Sequence, residues 1–170
     1  ADPALAQARV LVPSRRRERG KHLFPLPQVD VVEANVHDDA SLLRLVSGCD
    51  AVVNLIAILH GTPDAFRAAH VTLVQRVVRA CKQAGVARLL HISALGVPEE
   101  AAQAPSHYLR TKAEGEAVLR QAATEGLSVA VLRPSVIFGE HDRFLNLFAE
   151  LQTVLPVVAL AGSEARFQPV

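Results

Sequence analysis

Tyr108 and Lys112 stand four residues apart in the stretch YLRTK, and Tyr108 is the sole tyrosine among 170 residues. On a helix that spacing puts both side chains on one face, with Cβ atoms about 5–6 Å apart. A phenol titrates near pH ~10 and relays protons poorly at neutrality until a nearby cation favours phenolate. Lys112 can supply that cation. An exposed Tyr–Lys pair is also a common helix decoration, so the neighbouring residues decide. Upstream, the apolar run Arg88–Ile92 leads into Ser93-Ala94-Leu95-Gly96. Ser93 therefore sits just past a strand's carboxyl end, the edge at which open α/β sheets bind ligands. Its hydroxyl suits either a substrate oxygen or the cap of a turn. Downstream, Arg133-Pro134-Ser135 closes another strand, because proline lacks a backbone donor and turns the chain away. Arg133 is read either as part of the site or as a paired structural arginine.

The elements that must position these groups alternate short β-branched runs with longer amphipathic ones. Strands are expected at Ala8–Pro13, Val29–Ala34, Ala51–Ile58, Arg88–Ile92 and Ser128–Leu132. Helices are expected at Ser41–Ser47 behind Asp38 and Asp39, at Asp64–Ala84 before Gly85, at Ser106–Glu125 before Gly126, and at Asp142–Leu151. Unbroken apolar strands indicate burial on both faces, and strand–helix alternation of this length gives βαβ units. The expected fold is α/β, a Rossmann-type doubly wound parallel sheet in three αβα layers. Residues 2–8 read as the tail of a helix and residues 167–170 as part of a further strand. The chain is thus expected to be one α/β domain over 1–170, incomplete at both ends, as though a first strand–helix unit were missing. None of the nine glycines forms the phosphate-cradling G-x-x-G-x-x-G pattern.

Half the residues are hydrophobic and 21% charged, a globular balance, and the net charge of +1 offers no field for nucleic acid. Cys49 and Cys81 have neither metal-type spacing nor a disulfide framework, which points to a reducing compartment. No apolar run reaches the roughly 18 residues of a membrane span, and no signal-peptide order opens the chain. A cytoplasmic location is expected, with attachment at the periphery of an inner membrane as the variant of it. His60, His91, His107 and His141 neighbour strand ends without metal-ligand spacing, so no metal is expected.

Taken in order, Ser93, Tyr108-x-x-x-Lys112 and Arg133-Pro134 resemble the short-chain dehydrogenase/reductase superfamily. Within it they are similar to the extended or atypical NAD(P)-dependent epimerase/dehydratase branch. The stretches VVNLIAILHG (52–61), RLLHISALG (88–96), YLRTKAEGE (108–116), RPSVIFGEHDRFLNLF (133–148) and LAGSEARFQPV (160–170) resemble bacterial relatives of the nucleotide-binding accessory subunit of respiratory complex I. The resemblance implies that residues 1–170 are an NAD(P)-binding Rossmann domain lacking its first strand and glycine-rich turn, with a substrate region beyond Val170. It places a nicotinamide dinucleotide at the carboxyl edge of the sheet, with Ser93, Tyr108 and Lys112 as catalytic residues. Lys112 would also hold the nicotinamide ribose. Asn35 and Val36 match the adenine contact, Ile56 and Ala57 the backbone beside ribose and pyrophosphate, and Arg133 and Pro134 complete the cofactor-binding set. His70 stands where many relatives place asparagine. The resemblance also implies a homodimer through the helices 64–84 and 106–125.

Ser14-Arg15-Arg16-Arg17 follows the first strand with no acid at its end, and arginine there accommodates a 2′-phosphate. NADP(H) is therefore expected over NAD(H), the alternative being a solvated charged loop. Two functions stay open. One is an oxidoreductase or epimerase/dehydratase acting on a hydroxyl or carbonyl carbon of an unidentified small molecule, with Tyr108 as general acid/base. The other is a nucleotide-binding structural or assembly protein with little turnover.

Overall fold

Among the described residues, β-branched and leucine-rich runs form five short strands: β1 (Val10–Ser14), β2 (Val29–Glu33), β3 (Ala51–Asn54), β4 (Arg88–Ile92) and β5 (Ser128–Leu132). The structure, a computed structural model, describes residues 8–137 and 139. All pairings are parallel and fall into two ribbons, β1–β2 and β3–β4–β5. Neither β1 nor β3 has a second strand partner among the described residues. Parallel pairing needs helical crossovers, and these are α1 (Asp39–Val46), α2 (Pro63–Arg67), α3 (Leu73–Ala84) and α4 (His107–Thr124).

Local chemistry starts and stops each helix. The Asp38 carboxylate accepts the Ser41 amide to cap α1, Thr62 caps α2 ahead of Pro63, and the Ser106 hydroxyl accepts the Leu109 amide to open α4. Gly85 closes α3 in the left-handed region at φ 71°, where a side chain would be strained. Buried positions on α3 recur at Leu73, Val74, Val77, Val78 and Cys81, the helical period of an inward stripe. They share one core with Leu42 and Val46 of α1, Leu89 of β4, and Leu119 and Ala122 of α4. Each fully buried leucine contributes about 2 kcal/mol.

Three expectations need correction. The strand expected over 51–58 ends at Asn54, because the Asn54 side-chain carbonyl accepts the Ile56 amide and folds the chain out of the ladder. The single helix expected over 64–84 is interrupted by a π-helical turn, Ala68–Thr72, between α2 and α3. The strands are also not buried on both faces. α1, α3 and α4 gather around one core, and alternate strand side chains stay outside it, with Val53 54% and Leu132 52% exposed. On the other side a 3₁₀ turn, Arg17–Leu23, lies against β2 where Gly20 meets Val31. The expected helix 142–151, the strand 167–170, the 2–7 tail and His141 lie outside the described residues. No helix among the described residues is long and apolar enough to cross a membrane.

Candidate functional site

Parallel strands of one ribbon end together, so the expected binding residues fall at the carboxyl ends of the strands in each of the two ribbons. Ser14 closes β1, Asn35 and Val36 follow β2, Ile56 and Ala57 follow β3, Ser93 follows β4, and Arg133 and Pro134 follow β5. β4 and β5 are tied there by the Ser93 amide donating to the Leu132 carbonyl (2.7 Å) and the Leu95 amide donating to Pro134 (2.8 Å).

Tyr108 lies in the first turn of α4, its ring edge-on to His70 at 5.4 Å and to Phe66 at 6.2 Å. Lys112 is one turn on, buried, with Nζ 6.0 Å from the Tyr108 ring centroid and donating to the Ile92 carbonyl at 2.9 Å. Burial pushes the Lys112 amine below its ordinary value, and the Glu116 carboxylate pushes back. Burial raises the Tyr108 phenol, so the expected lowering by Lys112 is not what this geometry produces.

Ser93 reaches the strand end as expected, but its hydroxyl does not face an open crevice. It is buried and donates to Glu116 Oε1 at 2.5 Å. Arg133 donates to the same carboxylate through Nε (2.9 Å) and Nη2 (2.5 Å). Arg133 is thus paired with Glu116 while its side chain stays 39% exposed. Burial works to raise Glu116. The hydrogen bonds from Arg133 and Ser93 and the charges of Arg133 and Arg120 outweigh it and hold the carboxyl below its ordinary range. This cluster fastens the ends of β4 and β5 to α4. Glu116 was missed in the sequence, although Tyr108, Lys112 and Glu116 continue one i, i+4, i+8 stripe.

At the carboxyl end of β1, in the other ribbon, the Ser14 hydroxyl donates to the Arg16 carbonyl (2.8 Å) and shapes the turn. Arg15 and Arg16 are exposed and have no carboxylate partner among the described residues. An acid is nonetheless near. Glu33 pairs in register with Ser14 and accepts the Arg17 amide at 3.5 Å. Sequence reading missed it because it belongs to the neighbouring strand. Asn35 uses its side-chain carbonyl to accept the His37 amide (3.0 Å), and Val36 packs against the core.

Two buried histidines lie under α4. His91 Nδ1 pairs with Asn54 Nδ2 at 3.1 Å, while Asn54 Oδ1 accepts from Ile56. That fixes Nδ1 as acceptor and leaves the proton on Nε2, which has no partner among the described residues. Burial, then the Lys112 charge, lowers both His70 and His91 to about 4, so each is neutral at pH 7.

Residues 3–145 match the NAD(P)H-binding family. The chain is 35% identical over 148 residues to mouse "NADH dehydrogenase [ubiquinone] 1 alpha subcomplex subunit 9, mitochondrial", covering 85% of this chain and 37% of that protein. The Dictyostelium discoideum protein of the same name is 28% identical over 166 residues, covering 95% and 44%. Among solved structures, the dTDP-glucose 4,6-dehydratase DesIV from Streptomyces venezuelae, bound to NAD, superposes with a TM-score of 0.71 at 21% identity, covering 89% of this chain and 55% of that one. The chain spans less than half the length of these two relatives and about half that of the solved structure. At that identity the structural likeness shows the fold, a parallel Rossmann-type α/β sheet.

Proposed function

The chain belongs to the NAD(P)H-binding family, and on that premise we propose that it holds a nicotinamide dinucleotide along the carboxyl edge of its sheet and uses Tyr108 as a general acid/base. The observation that carries this is the placement of Tyr108 and Lys112 on one face of α4, with Nζ 6.0 Å from the ring. The remaining donors fit such a ligand. Arg15 and Arg16 offer unpaired guanidinium groups after β1, and the chain after β3 leaves Leu55 and Ile56 exposed beside backbone that can approach a sugar–phosphate. In this reading residues 1–170 are one dinucleotide-binding domain, and the edges of β1 and β3 that lack a second strand are where a strand with a glycine-rich turn belongs.

When bound, the dinucleotide supplies or accepts a hydride at the substrate's hydroxyl or carbonyl carbon. Tyr108 Oη gives a proton to the carbonyl oxygen, or takes one from the hydroxyl. Lys112, whose burial Glu116 partly offsets, places its amine 6.0 Å from the Tyr108 ring and can hydrogen-bond ribose. Ser93 acts through Glu116 and Arg133, keeping the β4 and β5 termini in place. NADP(H) is favoured over NAD(H), because Arg15 and Arg16 are free for a 2′-phosphate while Glu33 accepts from the Arg17 amide.

The test is turnover of the full-length protein against a panel of carbonyl compounds and nucleotide sugars with NADPH or NADH. Turnover abolished by Tyr108→Phe is the expected result. Turnover unchanged by that substitution refutes the role of Tyr108. A second reading rests on Ser93 being engaged by Glu116 and on the raised phenol of Tyr108. There the protein binds the nucleotide without consuming it and serves as a peripheral subunit of a respiratory assembly, as the names of its mouse and Dictyostelium relatives suggest. Its signature is a nucleotide-dependent rise in melting temperature with no turnover.

A further inference from the structure

His70 lies at the centre of the π-helical turn and is 1% exposed, yet both ring nitrogens are paired. Nε2 accepts the Ile58 amide at 3.2 Å. An amide only donates, so Nε2 carries no proton and Nδ1–H is the donor, to Thr111 Oγ1 at 2.9 Å. The Thr111 hydroxyl passes its own proton to the carbonyls of His107 (3.0 Å) and Tyr108 (3.1 Å). The donors and acceptors along this path run in one consistent direction, the Thr111 proton being shared between the two carbonyls. The path starts in the loop after β3 and ends on the backbone of Tyr108, whose ring also meets the imidazole edge-on.

The backbone secures the same junction. The extra residue of a π turn rotates His70 inward, and such turns gather at functional sites. Gly115 faces the His70 carbonyl so closely that a Cβ there would collide with it. α4 can therefore lie directly on the π turn, which brings Thr111 within reach of the ring.

We infer that His70 is a positioning residue that couples the loop Ile56–Ile58 to the α4 turn carrying Tyr108, through the chain Ile58 N–H, His70 and Thr111. The inference rests on the dinucleotide reading above, since that loop is the one assigned to the ribose and pyrophosphate. Thr111 makes no hydrogen bond to that loop among the described residues, so its influence on the loop passes through His70, and a double-mutant cycle separates it from any effect through Tyr108 or Lys112.

The experiment is a double-mutant cycle on the full-length protein, read as the NADPH and NADH dissociation constants from nicotinamide fluorescence. His70→Ala is expected to weaken binding about tenfold, the equivalent of two neutral hydrogen bonds. Thr111→Val alone is expected to weaken it about threefold, and to add nothing in the His70→Ala background. His70→Gln keeps an acceptor and a donor on one side chain. It should bind within about threefold of wild type, and lose that rescue when Thr111 becomes valine. Where His70→Ala fails to fold, Thr111→Val in the wild-type and His70→Gln backgrounds decides alone. Additive losses, or wild-type affinity in Thr111→Val, overturn the coupling. A wild-type protein that binds neither nucleotide overturns the dinucleotide reading itself, and the inference with it.

Discussion

Acidification from pH 7 to pH 5 should cost the fold about 4 kcal/mol, well before its carboxylates protonate, because His70 and His91 are buried as neutral rings. Both native values lie at about 4, whereas an unfolded histidine titrates near ~6.5. The unfolded chain thus binds more protons throughout that window, so stability rises with pH between the two values and falls as acid is added. Each histidine contributes about 2 kcal/mol of the loss between pH 7 and 5, with a limiting slope of about 1.4 kcal/mol per pH unit. A domain holds only about 5–15 kcal/mol in total, so the effect is large. Glu116, held below its ordinary carboxyl value, extends the loss to lower pH, since its stabilising ion pair vanishes as it protonates. The assay is urea unfolding followed by far-ultraviolet circular dichroism at pH 7, 6 and 5, repeated with His70→Gln. The substitution removes one of the two titrating rings, so the slope should fall by about half. Equal unfolding free energies at pH 7 and 5, or histidine NMR signals that all titrate near ~6.5 in the native protein, would refute the reasoning.

Three further outcomes follow from the same geometry. Glu116→Gln leaves the Arg133 guanidinium, 39% exposed, without a counter-charge and should destabilise the fold by about 1–2 kcal/mol, seen as a lower urea midpoint. Gly115→Ala drives a methyl group into the His70 carbonyl, and the resulting overpacking should cost about 2 kcal/mol in the same assay. Arg15→Ala with Arg16→Ala should weaken NADPH about tenfold more than NADH, since charged hydrogen bonds to a 2′-phosphate are lost; equal losses would remove the basis for NADP preference.

Much of the fold was legible because its signals are local. Arg88–Ile92 and Ser128–Leu132 are strands at the expected residues, and Ser106 and Gly85 cap helices as their types demand. What escaped depends on partners distant in sequence or on small backbone changes. A π turn adds a single residue without erasing the apolar stripe, so Asp64–Ala84 reads as one helix although Ala68–Thr72 departs from it. Asn54 stops β3 through a side-chain turn inside an otherwise unbroken apolar run. Tyr108, Lys112 and the strand-end residues of the candidate site stand out in the sequence pattern. The Ser93–Glu116–Arg133 cluster was not, because three groups from two strand ends and a helix meet only once the chain is folded.

Tyr108 is the single tyrosine of the chain, so ring-labelled tyrosine gives one assignable NMR signal for the residue on which the proposed chemistry turns. Titrating the protein with NADPH should move that signal saturably, with the same midpoint as the nicotinamide fluorescence. A nucleotide that binds while the Tyr108 ring signal stays unmoved would contradict a dinucleotide lying beside it.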